Sequence, residues 1–298
     1  MSDRLYTTLS NNGILCVRDV PLSQRSSFRI GGYGELGIFP KSAEELEYCI
    51  SEIGEEGLSY HVIGNGSNVL FLDGRLAGAF LFTEGLREIR VDGETVYAEA
   101  GATLASVAAR AAEASLTGLE FARGIPGSLG GAVFMNAGAY GGQMSDVTVA
   151  TTAYNVNTGE TVTLTDHGFG YRRSIYMEAQ TLICLCAELR LSMGDREVIN
   201  EKMRELAVSR RQKQPLEYPS AGSYFKRPEG YFAGKLIEDC GLKGLRVGGA
   251  AVSEKHAGFV INLGGATAED VLELEERVKD AVFEKFGVML EREVRVIG

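Results

Sequence analysis

The stretch with most chemical potential is a glycine-rich block, GIPGSLGGAVFMNAGAYGG, from Gly124 to Gly142. Glycine reaches positive φ and removes the side chain that would keep another group off the backbone. Such a block is either a set of tight turns or a cradle where main-chain N–H groups face an anion. A second glycine turn, GNGSN from Gly64 to Asn68, follows a short apolar stretch far upstream. Two glycine turns on different elements suit the two sides of a diphosphate; two plain hairpin turns are the competing reading. GNGSN is not a Walker loop, because no Gly-Lys-Ser/Thr follows it. It is a poor dinucleotide fingerprint too, since Val69 holds the third glycine position.

Cations and hydroxyls form the next group. FGYRRSIY places Arg172 and Arg173 among aromatics. On extended chain they point opposite ways, so at most one faces a given pocket. Arginine suits a carboxylate through two parallel hydrogen bonds; a solvated pair is the alternative. SRRQKQP, with Lys213 before Pro215's glutamine, ends a helix and reads either as dipole complementation or as a phosphate clamp. Ser220 to Gly244 gathers Ser223, Tyr224, Lys226, Arg227, Tyr231 and Lys235 around glycines, as binding loops often do. No GxSxG elbow accompanies Ser223, so a hydrolase serine is unsupported. Glu293, on the polar side of the last apolar-alternating stretch, is either a buried acid or a solvated one. His61, His167 and His256 are not paired at ligand spacing, so no metal site is expected.

The elements that must position these groups read as follows. Ser27 to Gly32 is expected as a short strand ending in a turn. Ser42 opens a helix with Glu45 three residues on, and Leu46, Cys49, Ile50 and Ile53 share a face. Tyr60 to Ile63 is a strand that delivers GNGSN. Short strands fill 69–100, and Thr103 opens an Ala-rich helix. Strands resume at VTVATTAYNV, ETVTLT and TLICLCAELRL, with Asn157-Thr158-Gly159 as the first hairpin turn. Arg196 to Lys213 is a helix with Val198, Ile199, Met203, Leu206 and Ala207 inward. Thr267 caps a long helix through Phe286, and Val288 to Ile297 alternates as a strand.

The bounds are permissive of an enzyme and hostile to a nucleic-acid surface. The chain has 298 residues, 45% of them hydrophobic, and a net charge of −10. That balance lacks the broad basic face nucleic acid requires, while a few local cations suffice for a small anion. No apolar run reaches membrane-span length, and MSDRLYTTLS carries no secretory signal, so a cytoplasmic protein is expected. Five cysteines without a CxxC pair argue for reduced, packed thiols.

Taken together, SFRIGG, GNGSNVL, the GIPGSLGGAVFMNAGAYG block, FGYRRSIY, SAGSYFKRPEGYFAGKLIEDCGLKG, VSEKHAGFVIN and LEREVRVIG resemble the UDP-N-acetylenolpyruvoylglucosamine reductase family, in its order from residue 27 onward. The resemblance implies an α+β flavoenzyme of peptidoglycan precursor synthesis and cell-wall biogenesis. It implies bound FAD, NADPH as co-substrate and a small sugar-nucleotide substrate. The implied fold is a two-subdomain FAD-binding domain of the vanillyl-alcohol oxidase (PCMH) type, then an α+β substrate domain. The expected boundaries are 1–195 for the FAD domain, in subdomains 1–90 and 91–195, and 196–298 for the substrate domain. The last strand, 288–298, is expected to return toward the flavin. A monomer or weak oligomer, without nucleic acid or membrane insertion, is expected.

By motif, the resemblance implies flavin contacts at Gly64, Asn65, Gly66, Ser67 and Asn68. It implies others at Gly124, Ile125, Pro126, Gly127, Ser128, Gly130, Gly131, Asn136, Gly138, Ala139 and Tyr140. Arg172 matches the family's catalytic arginine, Ser223 its proton-donating serine and Glu293 its catalytic glutamate. Lys213, Lys226 and Arg227 are the implied substrate contacts. The short stretch from Arg173 to Lys213 leaves little room for the substrate-covering loop of one subgroup, and Arg227 stands where that subgroup has asparagine. The chain therefore resembles the shorter subgroup. Two rival readings are another FAD-dependent oxidase or dehydrogenase of the same fold, and a non-catalytic sugar-nucleotide binding protein.

Overall fold

The computed structural model describes residues 3–298. They form two compact units, each assembled from separate stretches of chain. The first comprises the chain up to Arg18, Leu36–Asn65 and Gly78–Ser209; the second comprises Asp19–Glu35, Gly66–Ala77 and Arg210–Gly298. This is not the single cut expected at residue 195. The helix Arg196–Lys213 buries Ile199 and Met203 in the first unit's core, which carries that unit past 195. Two N-terminal segments meanwhile belong with the C-terminal residues.

Within the first unit, Ala43–Glu55 is a helix because its apolar residues repeat at helical spacing and its start is capped. The Ser42 side chain accepts from the Glu45 amide, and Leu46, Cys49, Ile50 and Ile53 are buried. Gly57, at φ +63°, turns the chain after it. Tyr60–Ile63 follows and pairs parallel with Arg75–Phe82, matching Tyr60 to Ala79 and Ile63 to Phe82. This pairing fixes where the GNGSN turn begins.

The larger sheet of the first unit has five strands in the order Glu160–Leu164, Thr148–Asn155, Leu182–Arg190, Thr95–Glu99 and Ile89–Asp92. All its neighbours are antiparallel. Gly159 (φ +70°) makes the expected hairpin turn. The helix Leu104–Glu113, capped by Thr103, buries Leu104, Val107, Ala108 and Ala111 in one core with Val96, Ala98, Ala187 and Leu189. Val198, expected inward, is 67% exposed.

The second unit holds a four-stranded sheet ordered Ser220–Ser223, Phe259–Asn262, Ala250–Val252 and Arg246–Val247. Its long helix, Ala268–Phe286, has a reciprocal cap between Thr267 and Asp270 and ends on Gly287 at φ +67°. Asp73, 195 residues away in sequence, accepts from the Ala268 amide at 2.8 Å. Anionic acceptors are favoured there by the helix dipole. Val271, Leu274, Val278 and Val282 pack in a core with Phe28, Ile30, Leu70, Tyr224, Leu290 and Val294.

Two expected strands are shorter or absent. Ser27 to Gly32 is irregular: Arg29 sits at φ +55° and Gly31 at φ +131°, values that no strand sustains. Of Val288 to Ile297, only Arg295–Ile297 is strand, parallel to Val69–Phe71. In burial the alternation holds in part: Leu290 and Val294 are 3% and 2% exposed, but Ile297, on the opposite parity, is buried and Val296 is half-buried. Among the described residues, no helix is long and apolar enough to cross a membrane.

Candidate active site

Inside the first unit the structure brings the start of the GNGSN turn, Gly64 and Asn65, against the glycine block. Asn65 Nδ2 donates to the Pro126 carbonyl at 3.3 Å. A Cβ on Gly64 would lie 2.1 Å from Ser128 Oγ, so only glycine allows that approach. Ser128 in turn caps the helix Leu129–Met135, accepting from the Gly131 amide at 3.4 Å. The block's amides are not all available to a ligand. Leu129 and Gly130 donate to Ala102 and Ala100 carbonyls at 2.8 Å, and Ile125 donates to Ala122 at 3.0 Å. Gly130 packs so close to Ala100 that its Cβ would meet the Ala100 Cβ at 2.8 Å. So part of the block docks the short helix onto its own unit.

The GNGSN turn behaves differently. Among the described residues, no protein acceptor takes the amides of Asn65, Gly66 or Ser67. Gly66 holds φ +60°, and a Cβ there would lie 1.9 Å from the Arg25 carbonyl. Successive amides without protein partners, on a turn where a side chain cannot fit, suit a diphosphate. The residues present therefore fit a dinucleotide cofactor. Asn68 is committed elsewhere: its Nδ2 donates to the Glu293 carbonyl at 3.2 Å.

Arg172 is not on extended chain. Gly170 and Arg173 pair across a tight turn, and Arg172 occupies the turn at φ +54°. That left-handed conformation costs about 1–2 kcal/mol for a residue with a side chain. The two arginines still diverge. Arg173 is exposed and paired with Glu178, while Arg172 is half-buried. Its Nη1 and Nη2 reach the Asn136 and Gly138 carbonyls at 3.5 and 3.4 Å, the long end of hydrogen bonding.

The turn is tied to the glycine block by better bonds. Asn136, 3% exposed and itself left-handed at φ +42°, donates from Nδ2 to the Gly170 carbonyl at 3.0 Å. Its Oδ1 accepts from the Ser145 amide at 2.9 Å. Ser174 Oγ donates to the Phe134 carbonyl at 2.7 Å. Asn136, expected as a flavin contact, thus spends its side chain joining two loops. Gly138 and Ala139 form a small hairpin with Gly142 and Gln143, which leaves Tyr140 exposed at φ +54°.

The second unit brings Ser223 and Glu293 onto adjacent segments. Ser223 ends its strand opposite Phe259 and is exposed. The next residues run antiparallel to 291–293. Glu293 N donates to the Tyr224 carbonyl at 2.9 Å, and Lys226 N donates to the Glu291 carbonyl at 2.8 Å. Glu293 is half-buried. Lys226 Nζ pairs with the Glu291 carboxylate at 3.0 Å. Arg227 lies 3.9 Å over the Phe232 ring, and Lys213 is exposed at the end of its helix.

Beneath this pair sits a group that sequence reading missed. Glu275, 1% exposed, accepts from the Tyr224 hydroxyl at 2.8 Å and pairs with Arg292 at 2.9 Å and with Lys279. Burial first, and then the Glu275 carboxylate, push the Tyr224 hydroxyl above its ordinary pKa, so it stays a donor. One signal was available in the sequence: Glu275 falls four residues after Val271 and beside Leu274, on the helix's apolar stripe.

Comparison with known proteins identifies the family. A family model described as FAD binding domain matches residues 35–165. One described as UDP-N-acetylenolpyruvoylglucosamine reductase, C-terminal domain, matches residues 214–297. The reductase of that name from Caldicellulosiruptor bescii is 47% identical, over 97% of this chain and 93% of that protein. The one from Alkaliphilus oremlandii is 48% identical, over 95% and 94%. The crystal structure of the Thermus caldophilus reductase superposes with a TM-score of 0.81 at 35% identity, covering 96% of this chain and 99% of that one. Alkyldihydroxyacetonephosphate synthase shares the fold alone, with a TM-score of 0.51 at 14% identity over 65% of this chain and 41% of that one. With near full-length identity close to one residue in two, the chain belongs to the UDP-N-acetylenolpyruvoylglucosamine reductase family.

Proposed function

We propose that this protein reduces the enolpyruvyl ether of UDP-N-acetylglucosamine enolpyruvate to the lactyl ether of UDP-N-acetylmuramate, with NADPH as reductant, in cytoplasmic peptidoglycan precursor synthesis. The near full-length likeness to reductases of that name carries the reading. Bound FAD supplies the two-electron chemistry by which a hydride from NADPH reaches the terminal alkene carbon. The amides of the GNGSN turn and the glycine block around Ser128 are the groups to hold its diphosphate and ring.

The chain's own side chains handle the charge and the proton. Hydride addition to the terminal carbon pushes an electron pair onto the neighbouring carbon and into the attached carboxylate. Arg172 holds that carboxylate and stabilises the growing charge, an electrostatic contribution that is usually the largest single one. Its guanidinium is already braced by main-chain carbonyls, so little reorganisation accompanies binding. Ser223 delivers its proton to the carbanionic carbon and sets the stereochemistry there. A neutral hydroxyl is a weak acid, yet it faces an unusually basic carbon. Glu293 orients the same group. Lys213, Lys226 and Arg227 offer cations to the nucleotide.

Rapid mixing tests the assignment. The purified protein should show flavin absorbance that NADPH bleaches and the enolpyruvyl substrate restores. In Ser223→Ala the bleaching should persist, while recovery should slow by about 100-fold or more, as for a positioned acid. Equal slowing of both steps would remove the serine from the donor role. Recovery with oxygen but not with the sugar nucleotide would indicate an oxidase of the same fold. A colourless protein that binds the sugar nucleotide would indicate a binding protein.

A further inference from the structure

We propose that Glu275 is a positioning residue for proton delivery, holding the segments that carry Ser223 and Glu293 in register; this rests on the roles given to those two residues above. The observation is a convergence on one buried carboxylate. Tyr224, the neighbour of Ser223, donates its hydroxyl to Glu275 Oε2 at 2.8 Å. Arg292, the neighbour of Glu293, donates to the same oxygen at 2.9 Å. The Tyr224 carbonyl closes the figure by accepting from Glu293 N at 2.9 Å. Lys279, one turn along the same helix, takes the other oxygen.

Stability alone gives little reason for this arrangement. Glu275 and Tyr224 are each 1% exposed, and Arg292 is about a third exposed. Withdrawing a carboxylate and its cations from water is costly, and apolar replacements of similar volume are often as stable. What a charged, multiply bonded centre supplies is a single geometry. Between 224–226 and 291–293 the main chain makes two hydrogen bonds flanking an isolated bridge of Phe225 with Arg292, a short pairing that does not extend into a longer ladder. A rigid helix supplies the missing reference point. Ser223 is exposed at the end of its strand, so its hydroxyl is placed by its neighbours rather than by burial.

The test uses the flavin-loaded enzyme with Glu275→Gln, which keeps the shape, and Tyr224→Phe, which removes a single hydroxyl from a packed ring. Displacement by about 1 Å at a reacting group can cost about 100-fold. Recovery of oxidised flavin by the enolpyruvyl substrate should therefore slow by about 10- to 100-fold in each variant. Bleaching by NADPH should stay within about twofold of the parent, and the double variant should be no slower than the slower single one. Hydrogen exchange gives a readout independent of turnover: the amides of Lys226 and Glu293 should exchange at least about tenfold faster in Glu275→Gln, while Val107 and Ala108 keep parental protection. Unchanged recovery in both variants, or equal slowing of both steps, overturns the proposal, provided Ser223→Ala recovers slowly in the same assay. If Ser223→Ala recovers at the parental rate, the serine assignment itself fails and the positioning role falls with it; that single variant distinguishes the two failures.

Discussion

Around Arg172 the chain relies on its backbone, and around Ser223 and Glu293 it relies on buried charge. The first region is built from left-handed residues and a glycine without room for a Cβ: Asn136, Tyr140 and Arg172 at positive φ, and Gly64 pressed on Ser128; in the second unit, Gly66 pressed on Arg25 follows the same rule. The second is built from a carboxylate, a guanidinium, an ammonium and a phenol. The tasks differ accordingly. A flat cofactor with a diphosphate needs amides and close approach, which only main chain provides. The proton donor proposed for the second needs one side chain kept in one place, which a bonded network provides. Backbone geometry has no slack and charge networks have partners, so the two regions should fail differently.

The largest expected effect is at Gly66. In Gly66→Ala the new Cβ would lie 1.9 Å from the Arg25 carbonyl, and the residue would keep φ +60°. A main-chain oxygen cannot rotate away, so the turn must shift, at about 3 kcal/mol or more. Thermal unfolding should drop and the protein should purify with little flavin. Gly141→Ala supplies the contrast: at φ +89° with no heavy atom within 4 Å, it has strain but no clash. Its cost should be about 1 kcal/mol. If the two variants melt and load alike, close approach is not what glycine provides in the turn.

Asn136 comes next and probes how the backbone region is locked. Asn136→Ala leaves the Gly170 carbonyl and the Ser145 amide without their buried partner, at about 1–3 kcal/mol. Asn136→Asp keeps an acceptor for Ser145 and loses the donor that serves Gly170 and Gln143. Flavin recovery by substrate should slow about tenfold in the alanine variant, with the aspartate variant between it and the parent. Equal rates in all three would mean that the Arg172 turn stands without its tie to the glycine block.

How far these regions were legible in the sequence follows from the range of the interactions. Ser42 with Glu45, Thr267 with Asp270 and Gly287, and Asn157-Thr158-Gly159 all act within a few residues, and they folded as local rules require. The pairing of Asp73 with Ala268, or of Tyr224 with Glu275, spans 195 or 51 residues and leaves no periodic trace. For that reason the discontinuous units and the partners of Glu275 are not legible in the sequence, although the place of Glu275 on an apolar stripe is, and the cut is expected at 195. Arg172 illustrates a different limit. Arginine carries no turn propensity, so nothing local announced positive φ; the bonds from Asn136 and Ser174 to its flanks impose it. The roles of Arg172, Ser223 and Glu293 come from family resemblance, since spacing alone leaves Arg172 and Glu293 with a solvated alternative and gives Ser223 no hydrolase elbow.

The smallest expected effect uses pH to separate the regions. His167 is 4% exposed, its carbonyl accepts from Ile175 N at 2.7 Å, and its Nε2 lies 3.1 Å from Thr151 Oγ1. Burial lowers its pKa, and nearby Asp166 opposes this only in part. Above the ordinary imidazole value both folded and unfolded chains are neutral there, and stability is unaffected. As pH falls through that value, the unfolded chain takes up a proton that the folded chain refuses, so stability is lost until the folded pKa is reached. Burial shifts His256 the same way, so both histidines contribute with one sign. From about pH 7.5 to about 5.5, across the imidazole range, the thermal midpoint should fall, and it should fall less in His167→Gln. Amides of 167–175 should keep more exchange protection over that range in His167→Gln than in the parent, while those of 224–226, tied through Gly258 to His256 Nδ1, should lose it equally in both. Matching slopes for parent and His167→Gln would mean that His167 protonates freely in the folded chain, and acid would then no longer tell the backbone-held region from the charge-held one.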